Sequence, residues 1–296
     1  MVIATGFFDG VHLGHRFILR QLVEEARRRN DESMVVTFWP HPRNVLQDDA
    51  RNLRLLTSME EKKALIRSIG VDHIEVIPFT KEFCRLSAEE YLRDYIVGKF
   101  GGKAILVGYD NRIGSDQCTP EQTAEIARRL GLDVIRPESF VSDNGIVISS
   151  TKIRNSLQAG EIEEADSMLG YQYQLYGVVV SGNRLGHTIG FPTANMQLYE
   201  PLKLIPGNGV YLVKVETLGR VYDGMCNIGV RPTLGSGNAL TVETNIFDFN
   251  EDIYGLDIRI SFVSKIRNEV KFNDFSVLAS QLEKDREHCR ILLREK

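Results

Sequence analysis

No stretch of this chain is apolar over the ~20 residues that a membrane span requires; runs such as Val178–Val180 and Ala104–Val107 are far shorter. No charged segment leading into an apolar core opens it, so secretion is not expected. The cysteines are Cys84, Cys118, Cys226 and Cys289, far apart and without a C-x-x-C pair. That spacing argues against both a disulfide framework and a structural zinc site. Positive charge is not in excess either. The net charge of −4 speaks against a general nucleic-acid binder or a protein held on an acidic membrane. Two phosphate-binding signatures are also missing. No G-x-x-x-x-G-K-[ST] occurs, and no G-x-G-x-x-G follows a strand, so Walker-type ATPases and Rossmann dehydrogenases lose support. What is present, 43% hydrophobic and 26% charged residues over 296 positions, suffices to bury cores. The length suggests about two domains, and the expected location is the cytoplasm.

The first 170 residues alternate strand-like and helix-like segments. Met1–Thr5, Met34–Phe38, His73–Ile77, Ala104–Val107 and Val134–Arg136 are predicted strands. Between them, Ser58 with Glu61 and Ser87 with Glu90 fit the capping box that starts a helix. Pro120 suits a first helical turn, and Gly131 closes the same helix. This alternation predicts an α/β layer with a parallel sheet, whose ligands bind beyond the carboxyl ends of the strands. After Gly170 the pattern changes. Tyr173–Val180, Val210–Glu216, Arg220–Ile228, Leu240–Phe247 and Leu256–Ser264 are strand-like, separated by turns, and only Phe275–Leu293 looks like a long helix. Consecutive strands of this kind predict an antiparallel sandwich or closed barrel. Two domains are therefore expected, 1–170 and 171–296.

Three constellations carry chemistry. Gly6-Phe-Phe-Asp-Gly-Val-His-Leu-Gly-His15 lies between the first strand and the first helix. A helix N-terminus offers unpaired N–H groups and a positive dipole end, and His12 and His15 would sit there on one face. Two imidazoles in that place can donate to phosphate oxygens. Zinc held by the histidines with Asp9, or a plain strand–helix corner, are the competing readings. Ser149-Ser-Thr-Lys-Ile-Arg154 opens another helix with three hydroxyls and two cations, Lys152 and Arg154. Cations there oppose the helix dipole, so an anion is their natural partner. In the second half, Gly182, Gly186 and Gly190 allow a loop whose amides point at phosphates. Thr193 and Asn195 follow with hard oxygen donors suited to Mg²⁺. Glu243 faces opposite to Val242 and Thr244 by strand alternation, and alone would be read as solvent-facing.

H-x-G-H after the first strand with a late S-S-T-x-I-R resembles the nucleotidyltransferases that act at an α-phosphorus. With Thr37-Phe-Trp-Pro-His-Pro42 and Val107-Gly-Tyr-Asp110, the first half looks like the FMN adenylyltransferase module of bacterial bifunctional FAD synthetases. G-x-x-x-G-x-T-I-G-F-P-T-A-N, N-I-G-V-R-P-T and the segment around Glu243 are similar to the riboflavin kinase module. The resemblance covers nearly the whole chain. It implies a Rossmann-like parallel-sheet domain followed by a small antiparallel β-barrel with a C-terminal helix. It implies ATP-dependent phosphorylation of riboflavin to FMN, then adenylylation of FMN to FAD with release of pyrophosphate. ATP is the implied co-substrate and Mg²⁺ the implied cation. By the same resemblance His12, His15, Ser149, Ser150 and Arg154 hold the ATP phosphates, with Gly6, Phe7, Asp9, Gly14 and Thr151 completing that nucleotide site. Phe38, Pro40, His41 and Asp110 belong beside the flavin, although Phe38 alone would more often be core. Gly182, Gly186, His187 and Gly190 belong to the second nucleotide site, Thr193 and Asn195 to the metal, and Glu243 is the general base.

The sequence also departs from the family pattern. The chain opens directly on the first strand, where relatives carry a short leading segment. The loop Gly114–Pro120 contains no cation where the family has a basic one, and His187 stands where arginine is usual. A neutral imidazole lacks the permanent charge and forked donors of a guanidinium, so weaker or pH-sensitive ATP contact is expected. The cation-free loop and His187 are the support for the alternative class, a flavin-binding or regulatory protein in which one or both sites are dead.

Overall fold

Val2–Thr5 is buried throughout and forms strand β1 of a computed structural model, the structure described here. The structure describes residues 1–41, 53–109, 111–138, 140, 148–182, 186, 189–232, 238–270, 272 and 274–294. Strand β1 pairs in parallel with β2 (Ser33–Trp39) on one side and β4 (Ala104–Leu106) on the other. The edges are β3 (His73–Pro78) and β5 (Asp133–Ile135), giving the order β3-β2-β1-β4-β5. Alternate residues serve opposite faces, as the pleat requires. Val2 and Ala4 pack with Leu19, Leu22 and Ala26 of helix α1 (Leu13–Arg28) and Ile66 of α2 (Met59–Ser68). Ile3 faces the other way, onto α3 (Ala88–Tyr91), its π-helical continuation Leu92–Lys99, and α4 (Pro120–Arg129). A sheet covered on both faces buries its strands completely, hence the near-continuous apolar runs. The predicted capping boxes are formed at Ser58/Glu61 and Ser87/Glu90, and Thr119/Gln122 adds a third before Pro120. Chain order reverses between β1 and β4, so the switch point lies at their carboxyl ends, where a ligand crevice belongs.

Contacts divide the chain into two compact units, Met1–Ser150 and Thr151–Lys296. The division falls at the start of α5 (Ser150–Ala159), whereas the change in sequence pattern at residue 170 falls after α6 (Ile162–Leu169). In the second unit six antiparallel strands close a barrel in the order β10-β7-β6-β11-β8-β9. They are β6 (Gln174–Val180), β7 (Ala194–Leu198), β8 (Gly209–Thr217), β9 (Arg220–Pro232), β10 (Asn238–Ile246) and β11 (Asp257–Arg267). Closure leaves no edge to aggregate. Helix α7 (Phe275–Arg294) follows, fastened by Asp285, which accepts two bonds from the Nε of Arg267 at 3.0 Å and one from its Nη2 at 2.7 Å. The predicted strands all appear, with ends moved by a few residues. Strand β7 was not predicted: Ala194-Asn-Met-Gln-Leu198 has little β-branched or aromatic content, and its pairing with β6 and β10 decides its form.

Candidate active sites

The turn after β1 is strained and firmly tied. Phe8 and Val11 have φ of 51° and 38°, left-handed values that a β-branched residue such as Val11 rarely adopts. Asp9 compensates: its carboxylate accepts from the amides of Leu56 and Thr57 at 3.1 and 3.2 Å and from the Thr57 hydroxyl at 3.3 Å. These bonds draw the loop before α2 onto the turn. The Ser150 hydroxyl donates to the Asp9 carbonyl at 3.0 Å, so the first residue of the S-S-T-x-I-R helix touches the G-F-F-D-G turn. His12 is not inside α1, as its spacing from His15 suggested, but is its N-cap, with Nδ1 accepting from the His15 amide at 3.3 Å. That bond requires an unprotonated Nδ1 on His12. The two imidazoles stack, with centroids 3.6 Å apart and planes 18° from parallel. A Cβ on Gly14 would stand 3.3 Å from Nδ1 of His12, tighter than most such contacts, so glycine keeps the cap open. Burial first, then His12 and Lys62, hold the His15 imidazole well below its ordinary pKa of 6.5. The result is a helix N-terminus facing two stacked imidazoles, with that of His15 held neutral, an arrangement that can donate to anions.

Beside this turn, at the switch point, a cavity of about 410 Å³ is bounded by Gly6 and Phe7 after β1, Phe38 on β2, and Phe79, Phe83 and Tyr91 beyond. Phe38 contacts three rings, Phe79, Phe83 and Tyr91, with centroids 5.7–6.2 Å away. It therefore belongs to the core packing and to the cavity wall at once. The opposite rim is polar, with Asn111, Arg112, Ser115 and Gln117. Asn111 donates to the carbonyl of Thr5 at 3.2 Å, and the loop is stapled to α3 because Asp116 accepts from the Ala88 amide at 3.0 Å. The loop Gly114–Pro120 has no cation of its own, but Arg112 just before it supplies one at the rim, a residue that the sequence reasoning missed. Pro40 and His41 are not among the described residues that line the cavity; His41 instead meets the Phe7 ring at 3.8 Å between centroids. Asp110 lies outside the described residues. Ser149 and Ser150 stand at the N-terminal end of α5, while Thr151 and Arg154 fall in the second unit by the contact division.

In the second unit β10 lies between β7 and β9, with Glu243 opposite Asn195 on one side and Asn227 on the other. The strand separates two cavities. One, about 240 Å³, is lined by Thr193, Asn195, Asn227, Glu243, Arg267 and Leu282 among others. The second, about 280 Å³, is lined by Thr193, Thr244, Phe249, Asp252 and Tyr254 among others. Glu243 and Thr244 thus face different cavities, as alternation requires, and Glu243 points into a pocket rather than outward to solvent. Thr193 borders both. A Cβ at Gly182 would collide with the Asn195 amide, so glycine there makes room for that side chain. Asn245 donates to the Pro192 carbonyl at 2.7 Å and fixes the segment that carries Thr193. Gly186 lines the smaller cavity, and its carbonyl accepts from Ile189 and Phe191, which turns the glycine loop back on itself. Gly190 sits on this turn with a φ of 81°. His187 lies outside the described residues. Among those described, no cluster of three His, Cys, Asp or Glu side chains could hold a metal ion, which leaves the zinc reading of His12, His15 and Asp9 without support.

The doubly wound sheet with its histidine-bearing turn, and the closed barrel with Glu243 facing one of two cavities, are the two modules of a transferase. Residues 1–152 match the FAD synthetase family and residues 169–293 the riboflavin kinase family. A bifunctional riboflavin kinase/FMN adenylyltransferase of Listeria monocytogenes is 38% identical over 98% of this chain and 91% of its own length. The protein of the same description from Bacillus subtilis is 36% identical over 97% and 91%, and that from Escherichia coli K12 36% over 96% and 90%. The chain belongs to the family of bifunctional riboflavin kinase/FMN adenylyltransferases. A solved Streptococcus pneumoniae structure described as a macrolide-efflux protein has a TM-score of 0.88 at 33% identity, covering 98% of this chain and 93% of that one. Its description concerns efflux, yet here, among the described residues, no helix is long and apolar enough to cross a membrane.

Proposed function

We propose that the chain runs the two reactions of its family at separate sites, with residues 1–170 adenylylating FMN and 171–296 phosphorylating riboflavin. ATP is the co-substrate of both. The observation that carries this reading is the adjacency of the aromatic cavity and the His12–His15 turn, which share the Gly6-Phe7 segment at the switch point. The ring system of FMN stacks among Phe38, Phe79 and Phe83, with Arg112 and Asn111 at the polar rim. The ATP phosphates lie against the amides that open α1, the two imidazoles, and Ser149 and Ser150. Arg154 is assigned to them on its motif, as are Asp9 and Gly14 to shaping the turn. An oxygen of the FMN phosphate attacks the α-phosphorus, the bond to the β-phosphate oxygen breaks, and pyrophosphate leaves. No protein nucleophile is needed. Alignment and charge neutralisation by preorganised donors do the work.

In the barrel, riboflavin occupies the cavity that holds Glu243, and the adenosine end of ATP the cavity that holds Thr244 and Tyr254. Glu243 takes the proton of the terminal ribityl hydroxyl as its oxygen attacks the γ-phosphorus, and ADP leaves. Thr193 and Asn195, with Glu243 opposite, form the all-oxygen donor set that a hard cation prefers, so they are assigned to Mg²⁺. When bound, that cation neutralises phosphate charge. The residues here orient the hydroxyl, hold the proton and exclude water. With cysteines that are all free and widely spaced, a cytoplasmic location suits the chain. Incubating the protein with riboflavin, ATP and Mg²⁺ and separating the flavins tests this: FMN should appear first and FAD after it, whereas bound but unchanged riboflavin would mark a flavin carrier.

A further inference from the structure

Lys62, on the inner side of α2, is 1% exposed, and its Nζ is buried without a hydrogen-bond partner among the described residues. Buried ammonium groups are ordinarily paired, because an unpaired one loses its hydration with nothing in exchange. Here the group stands 3.7 Å from the centroid of the Phe7 ring, over its electron-rich face. Its charged and titratable neighbours are Asp9 from the turn and His15 from α1. The Asp9 carboxylate already serves the amides of Leu56 and Thr57, so it tethers the cation electrostatically without satisfying its donors. Glu61, the acid next to it on α2, is turned to the Ser58 amide. His15 Nδ1 is likewise buried with no hydrogen-bond partner among the described residues. Two donor-capable atoms are thus held dry at one helix N-terminus, beside the ring that joins the turn to the aromatic cavity.

We propose that Lys62 is a positioning residue for adenylyl transfer. Its buried positive charge, acting through His15 and the Phe7 ring, preorganises the cradle for a polyphosphate chain. A low-dielectric setting makes such a charge count for more than it would in water, with no reorganisation needed when the anion arrives. Burial pushes the Lys62 ammonium down to about 8, with Asp9 opposing, so the group carries its charge at neutral pH and loses it in mild alkali. The proposal rests on assigning the His12–His15 turn to the ATP phosphates.

Lys62→Met tests it, since a thioether keeps length and contact with the Phe7 ring while removing the charge. The kcat/KM of FAD formation for ATP should fall by about tenfold or more, the scale of one lost preorganised charge. Riboflavin phosphorylation and the unfolding temperature should not fall. In the unaltered protein, kcat/KM for FAD formation should decline as pH rises through about 8, and the Met variant should lack that decline. Unchanged FAD formation, no alkaline decline in the unaltered protein, or a joint loss of both activities with the unfolding temperature would each overturn the role. His15→Ala separates the two failures. If it abolishes FAD formation while Lys62→Met does not affect it, only the lysine assignment fails; if neither variant matters, the phosphate cradle itself is wrong.

Discussion

At the scale of single residues, chemistry was legible where a residue type is rarely used for packing, and hidden where its bland role is common. His12 and His15 stood out in the sequence because imidazoles at a helix start have few structural reasons, whereas Glu243, which alone reads as a solvent-facing strand carboxylate, was marked only by the family resemblance. Lys62 did not stand out, since a lysine in Met-Glu-Glu-Lys-Lys looks like one more solvated helix charge, and only the fold turns it inward. Arg112 was not legible either, since a lone arginine in a loop reads as a solvated charge until the fold places it at the cavity rim. The buried state of His15 has a thermodynamic consequence. Its folded pKa is depressed below 6.5, so between the two values the unfolded chain binds a proton that the folded chain does not. Stability therefore rises with pH through this window and is lost as pH falls below about 6.5, by up to ~1.4 kcal/mol per pH unit. Urea unfolding at pH 7.5 and 5.5 should show this loss, and His15→Phe should reduce it; an equal loss in both proteins would remove His15 as the cause. Asn195→Ala should raise the Mg²⁺ requirement of riboflavin phosphorylation about tenfold or more, with FAD formation from supplied FMN unchanged. No change in that requirement would move the cation elsewhere.

Elements were the most legible level, because their signals are local. The capping boxes at Ser58 and Ser87, the proline at 120 and the buried apolar runs of β1 and β2 leave few alternatives. Strand β7 was not readable: its backbone is extended because β6 and β10 bind it on both sides, and nothing in Ala194–Leu198 encodes that. The strained turn at Phe8–Val11 was equally silent, since its conformation depends on Asp9 reaching Leu56 and Thr57, more than forty positions away in the sequence. Helix α7 is held by a long-range device of the same kind. Arg267, at the end of β11, and Asp285 form a pair with side chains 20% and 3% exposed. Leu278 and Leu282 of α7 line the Glu243 cavity. Asp285→Ala leaves a guanidinium without its partner and should cost about 3–5 kcal/mol. It should also weaken riboflavin binding while sparing FAD formation from FMN. Differential scanning calorimetry and flavin fluorescence titration read the two effects, and a variant with native stability and affinity would show that the helix is held by its apolar face alone.

At the scale of the whole molecule, two folds with different layer rules lie in succession on one chain, each with a turn to which we assign phosphate binding. The sequence showed the change of grammar near residue 170, because alternating strands and helices cannot be mistaken for consecutive strands. The helices α5 and α6 stand at the junction, and their membership could not be read from pattern, since amphipathic helices suit either neighbour. The two reactions share a flavin and a nucleotide but attack different phosphorus atoms, and so need independent machinery. Product separation for a reciprocal pair of variants measures that independence. Supplied with riboflavin, ATP and Mg²⁺, His15→Ala should accumulate FMN and make no FAD. Glu243→Gln should form no FMN from riboflavin, yet convert supplied FMN to FAD at the unaltered rate. Loss of FMN formation in His15→Ala, or loss of FAD formation from supplied FMN in Glu243→Gln, would contradict two separate sites.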